Sequence, residues 1–249
     1  MQWNILEMPK AGIIDYSVSP WCHPTKFVLK KDGNLWMVHV YLPINAARVA
    51  NSYPMRHIEL VINSLMQPRL VVYFQADAAN GYSAVPLAQE HAYKTAFSTH
   101  HGQYHYLLTM GQGPSRAPQM YLRLKDTLAG PILEPNKEPV LDQCDMCGGS
   151  FQYFINEDFG AHGTYHDQWT FLHQGYFPRL ARGRFTLQPM KTGFYLEKIN
   201  PLGFVLHSEG LRPSEEKILA IQDYPSPMNL DEVNWFRCMT TYLRRFTPG

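Results

Sequence analysis

Hydrophobic positions along the chain change period several times, and each change marks an element. "SPWCHPTKFVLKKDGNLWMVHVYL" reads as two extended runs joined by the turn "KKDG". "SYPMRHIELVINSLMQP" sets Ile58, Val61, Ile62, Leu65 and Met66 at helical spacing, with prolines outside both ends. "RLVVYFQADAANGY" predicts a short buried strand running into Asp77 and a glycine turn, "QYHYLLTM" another strand, and "APQMYLRLKDTLAG" a helix stopped by glycine. "QWTFLHQGYFPRL" has helical spacing damaged by a proline, and "FYLEKI" and "LGFVLH" are strand-like before a turn at "SEG". Ser214 can cap "EEKILAIQDY", and Asn229 with Glu232 three residues on makes a capping-box pattern. Strands interspersed with helices, some joined as hairpins, predict α+β with an antiparallel sheet covered on one face by helices.

Composition narrows the classes. In 249 residues, 45% are hydrophobic and 17% charged, which excludes wholesale disorder and leaves ample core. Lys plus Arg (22) nearly balances Asp plus Glu (21), so there is no overall basic surplus of the kind that phosphate-backbone binders usually carry. No apolar run approaches the roughly 18 residues of a membrane span, and "MQWNILEMPK" does not read as a leader. The expected location is intracellular, in cytoplasm or nucleus, with no membrane partner. Cys22, Cys144, Cys147 and Cys238 are too scattered for a disulfide framework.

Two stretches carry candidate chemistry. Asp77 ends an apolar strand, where it either begins an Asx-turn toward Gly81 or projects a carboxylate into a cleft suited to magnesium-dependent phosphoryl transfer. "CDMCGGSFQYFINEDFGAHGTYH" reads Cys144-x2-Cys147-x14-His162-x3-His166, a ligand set that tetrahedral zinc favours. Its loop is about two residues longer than a usual finger, and the following helix carries Tyr165, Asp167 and Trp169 rather than a basic stripe. A hairpin with free, partly buried thiols is the reading preferred over zinc.

The ordered segments "SPWCHPTKFVLKKDG", "YPMRHIE", "FQADAANGY", "YKTAFSTHHGQYHYLLTM", "GQGPSRAP", "LQPMKTGF", "PLGFVLHSEGLRP", "KILAIQDYPSP" and "YLRRFTP" together resemble the reverse transcriptase of gypsy-type long-terminal-repeat retrotransposons. The resemblance implies fingers in residues 1–70, a palm in 71–207 with a return to the fingers around 88–112, and a shortened connection to a thumb in 208–249. It implies two magnesium ions on three aspartates, acting on a template–primer of RNA or DNA and deoxynucleotides. By similarity Asp77 matches the first aspartate and Ala78 a backbone ligand; in "DQCDMC" Asp145 falls on the second Asp of the family's aromatic-x-Asp-Asp turn and Cys144 replaces the first, and sliding to Asp142 supplies no adjacent Asp-Asp pair. Tyr82 matches the aromatic gate beneath the incoming sugar. Lys30, Gln112 and Lys191 match nucleotide-contacting residues, and Leu202, Gly203 and Phe204 the primer grip.

Departures from the family pattern predict impaired catalysis. A thiol is a poor ligand for hard Mg²⁺. Trp36, Val40 and Leu42 stand where the family carries two arginines and an aspartate. Loss of a single electrostatic contact costs about 3–4 kcal/mol at a transition state. The alternative is a non-catalytic scaffold that binds nucleic acid or protein.

Overall fold

A computed structural model describes residues 5–29, 33, 35–47, 53–79, 81–109, 111, 113–114, 117–129 and 148–246. Its strands are β1 (Ile14–Tyr16), β2 (His23–Leu29), β3 (Leu35–His39), β4 (Val72–Ala79), β5 (Phe97–Thr99), β6 (Gly102–Tyr106), β7 (Ser150–Phe154), β8 (Glu157–His162), β9 (Thr186–Leu187), β10 (Gly193–Leu196), β11 (Lys198–Ile199), β12 (Phe204–His207) and β13 (Gly210–Pro213). Its α-helices are α1 (Leu42–Ala47), α2 (Ile58–Leu65), α3 (Gln89–Ala92), α4 (Ala117–Ala129), α5 (Tyr165–Thr170), α6 (Phe177–Arg182), α7 (Glu215–Gln222) and α8 (Leu230–Tyr242). The chain divides into two compact units, residues 1–55, 78–131 and 176–187, and residues 56–77, 132–175 and 188–249.

The first unit is built on a sheet of order β1-β6-β5-β2-β3, antiparallel except where β2 runs beside β5. Met8, Ile14, Phe97, Tyr104 and Tyr106 form one apolar cluster on it. Only His23 of β2 is buried; toward its C-terminal end the strand emerges, leaving Phe27 and Leu29 exposed. Its interior holds a polar group as well. His39 is 1% exposed, and its ring bonds the Thr25 hydroxyl at 3.1 Å and the Tyr106 hydroxyl at 3.0 Å. Thr25 donates its proton to the Ser98 carbonyl at 3.1 Å. Nδ1 of His39 therefore donates to Thr25, and Nε2 accepts from Tyr106, which satisfies one neutral tautomer. Burial, reinforced by the nearby His23, pushes the His39 pKa down to about 4.

The second unit is built on an antiparallel sheet of order β10-β4-β8-β7. Strand alternation puts Tyr73 with Phe159 and Ala161 on one face, where Val61 and Leu65 of α2 and Ile199 and Leu206 of β11 and β12 complete the core. α2 thus backs the sheet, as its helical spacing predicts. The opposite face is not left to solvent. Phe74 stacks there on Phe151, His162 and Phe171, ring centroids 5.9–6.2 Å apart. The sheet is covered on both faces, because the short apolar run at β4 supplies large side chains to each side. At Gly160, opposite Phe74, a Cβ would lie 2.0 Å from that ring, so only glycine fits.

Two sequence expectations meet their physical cause here. Asn229 accepts from the Glu232 N–H at 2.9 Å, and Glu232 reaches back to the Met228 N–H at 2.7 Å, a capping box displaced by one residue. Helix α5 runs into a π-helical turn at Phe171–Tyr176 before Pro178 enters α6. Proline has no N–H to give, and the widened turn accommodates that gap.

Candidate active site: an acidic hairpin tip beside Asp77

Asp77 is held from several sides within the second unit. β4 and β8 pair with Asp77 directly opposite Glu157. Directly opposed residues share a face, with Cβ atoms about 4.5–5.5 Å apart. On the other side of β4, the peptide groups of Asp77 anchor the segment 188–192. Its carbonyl accepts from the Gln188 N–H at 2.8 Å, and its N–H points at the Thr192 hydroxyl at 3.4 Å. That segment forms a 3-10 turn, Pro189–Lys191, and lays the Lys191 ammonium 3.1 Å from Asp77 Oδ2. The Asp77 side chain is only 15% exposed, while Lys191 is 60% exposed.

β7 and β8 are joined by two residues, Ile155 and Asn156, with Phe154 opposite Glu157. Such a loop demands a turn that supplies positive φ, and Ile155 complies at φ 49°. For a β-branched residue this is strained, of order 1–3 kcal/mol. Ile155→Gly is therefore expected to raise stability by about 1 kcal/mol in denaturant unfolding. Unchanged or lowered stability would show that side-chain packing outweighs the backbone cost. Asn156 Oδ1 is buried and has no hydrogen-bond partner among the described residues. The hairpin thus reads aromatic-x-Asn-Glu, with Glu157 opposite Asp77 and Asn156 the loop residue just before it.

The 201–204 turn is fixed from behind. Leu202 adopts φ 52° and Gly203 φ 82°, and the Tyr242 hydroxyl of α8 donates to the Leu202 carbonyl. Phe204 is buried and stacks on Tyr242 at 5.0 Å. Burial first, and the charge of Glu157 second, raise the Tyr242 pKa.

The remaining sequence candidates are dispersed. Ala78 follows Asp77 on β4 and pairs with Leu187. Tyr82, in the first unit, is half-buried against Tyr121 with ring centroids 5.6 Å apart, and burial raises its pKa. His162 is fully buried among phenylalanines and burial pushes its pKa down to about 4, whereas His166 is exposed and stacks on Trp169. Lys30, Gln112, Asp142, Cys144, Asp145 and Cys147 lie outside the described residues. Among the described residues, no group of three or more His, Cys, Asp or Glu side chains could hold a metal ion. No helix among them is long and apolar enough to cross a membrane.

Sequence reasoning passed over Asn156 and Glu157 because it looked for two adjacent aspartates. The signal was present as "FINEDFGAH", an aromatic-x-polar-acidic step leading into a strand.

A foamy viral protease–reverse transcriptase solved with double-stranded DNA superposes on the whole chain with a TM-score of 0.84 at 20% identity, the match covering 43% of that protein. The fold is that of a reverse transcriptase. A second structure, the foamy viral enzyme with an RNA/DNA hybrid, gives 0.77 at 19% identity over 96% of this chain and 30% of that one. In sequence, this reverse-transcriptase-like domain is 29% identical over 252 aligned residues to the retrovirus-related Pol polyprotein from transposon 297 of Drosophila melanogaster, covering 99% of this chain and 22% of that polyprotein. It is 24% identical over 239 residues to the transposon Tf2-3 polyprotein of Schizosaccharomyces pombe, covering 96% of this chain and 17% of that polyprotein. The chain spans about a fifth of the length of these curated relatives. No family model matches it.

Proposed function

We propose that this domain binds a template–primer of RNA or DNA and retains a weakened nucleotidyl-transfer site built from Asp77, Asn156 and Glu157. One observation carries the reading: the β4–β8 register that sets Glu157 opposite Asp77, with Asn156 at the adjoining tip. The donors are all oxygens, which suits a hard divalent cation such as Mg²⁺. Asp77 and Glu157 would hold it through carboxylates and Asn156 through Oδ1, with the Ala78 carbonyl a further donor. When bound, such ions would favour ionisation of the primer 3′-hydroxyl and neutralise the departing pyrophosphate. The chain's own contribution is to orient these oxygens on paired strands and to keep Asp77 largely away from water.

Two carboxylates in place of three bind divalent cations more weakly, which gives impairment a location. In this reading Tyr82 lies under the incoming sugar, Lys30 and Gln112 contact the nucleotide, and Lys191 faces the triphosphate. The turn at Leu202, Gly203 and Phe204 grips the primer. Residues 1–70 serve as fingers, 71–207 as palm and 208–249 as the connection toward a thumb. Support for the nucleic-acid partner comes from the foamy viral structures, solved with double-stranded DNA and an RNA/DNA hybrid.

The test is primer extension with Mg²⁺ and with Mn²⁺, run beside Asp77→Asn and accompanied by template–primer binding across salt concentrations. Slow extension that disappears in Asp77→Asn, with binding that weakens steeply as salt rises, is expected. Extension that survives Asp77→Asn would remove the site from the reaction. Absence of extension together with retained salt-sensitive binding would leave the binding scaffold as the function.

A further inference from the structure

We infer that the Lys191 ammonium and a divalent cation compete for the same seat at Asp77, so that metal binding here is an exchange of one cation for another. The inference rests on the reading of Asp77 as a metal ligand. Lys191 Nζ stands 3.1 Å from Asp77 Oδ2, on the carboxylate that Glu157 faces from the next strand. Mg²⁺ sits about 2.0–2.1 Å from its oxygens. An ammonium already at hydrogen-bond distance from the same oxygen would then face a double positive charge at close range, and the two cannot share it without strong repulsion.

The geometry separates the moving part from the fixed part. The turn carrying Lys191 is fastened through the peptide groups of Asp77, by the Gln188 N–H at 2.8 Å and the Thr192 hydroxyl at 3.4 Å, and not through the carboxylate. The ammonium can therefore leave while the turn stays. Its 60% exposure gives it solvent to swing into, so displacement costs little side-chain solvation. The lysine neutralises a sheltered carboxylate that otherwise faces Glu157, a like charge on the adjoining strand. Once displaced it remains beside the seat, free to meet an anionic group of an incoming nucleotide. Cation arrival and release of Lys191 become one event.

The measurement is Mn²⁺ affinity, by electron paramagnetic resonance of free ion and by calorimetry, on the EDTA-treated 249-residue chain. Four proteins are compared: wild type, Lys191→Met, Asp77→Asn and the double variant. Lys191→Met should tighten Mn²⁺ binding about three- to tenfold, the range of a partly exposed charge-assisted pair. Asp77→Asn should abolish binding in both backgrounds. Unchanged or weaker Mn²⁺ binding in Lys191→Met, with Asp77→Asn still abolishing it, overturns the competition while leaving the metal site standing. Binding that ignores Asp77→Asn overturns the site itself, and the competition with it. Lys191→Gln provides a second, uncharged variant, and thermal melts in EDTA confirm that either variant is folded.

Discussion

Asn156→Asp should strengthen the site: Mn²⁺ and Mg²⁺ binding should tighten, and primer extension should rise by about a hundredfold over wild type. The reasoning is electrostatic. The substitution changes a neutral amide oxygen into a third carboxylate at a two-residue tip, without changing side-chain shape. Single charge-stabilising contacts at a reaction centre are worth about 10²–10³ in rate, which sets the scale. Asn156 Oδ1 is already buried and without a partner among the described residues, so the new carboxylate displaces no existing bond of that atom. It would, however, add a negative charge beside Asp77 and Glu157. In EDTA the variant should therefore be less stable than wild type, and added Mn²⁺ should raise its melting temperature. Extension and metal affinity that both stay at wild-type levels would move the third ligand elsewhere.

The second large effect is acid sensitivity. His39 and His162 are both buried, in different units, and burial lowers each from the ordinary value near 6.5 to about 4. For His162 the charge of Asp167 works weakly in the opposite direction. A histidine with a depressed folded pKa stays neutral in the fold while the unfolded chain takes up a proton. No stability is lost above pH 6.5. Between pH 6.5 and about 4 the unfolded state gains protons that the folded state refuses, and stability falls by up to about 3 kcal/mol per histidine. Unfolding free energy measured from pH 7.5 to 4.5 should show this slope. His162→Leu should flatten it in the second unit, because the imidazole lies among Phe74 and Phe171 and neither ring nitrogen bonds a described residue. A slope that is the same in His162→Leu would assign the acid response to other groups.

Legibility varied with how local the cause was. The 58–65 helix, the strand into Asp77 and the Asn229 cap follow from spacing and capping chemistry, which act over a few residues. The segments that resemble a reverse transcriptase carried the fold because their order is itself long-range information. The tip at Ile155–Asn156 has a local signal in "FINEDFGAH", but the pairing of Glu157 with Asp77 was not legible, since it depends on the β4–β8 register, and pairing between strands far apart leaves no mark in either strand alone. Cover on the second face of the sheet was hidden for the same reason: Phe171 reads as a helix residue until its contact with Phe74 is known. Lys191 reads as a surface lysine by composition, and only the anchored turn brings it to Asp77.

Neither unit is a continuous piece of chain; each is assembled from three separate segments. On a ribosome, β4 would emerge and wait for β8 and then for β10 before its sheet could close. Apolar residues such as Tyr73 and Phe74 would stay uncovered through that interval, which favours slow folding and makes chaperone capture or inclusion-body formation the foreseeable hazard of production. Slower translation and lower temperature are the conditions under which soluble yield should improve.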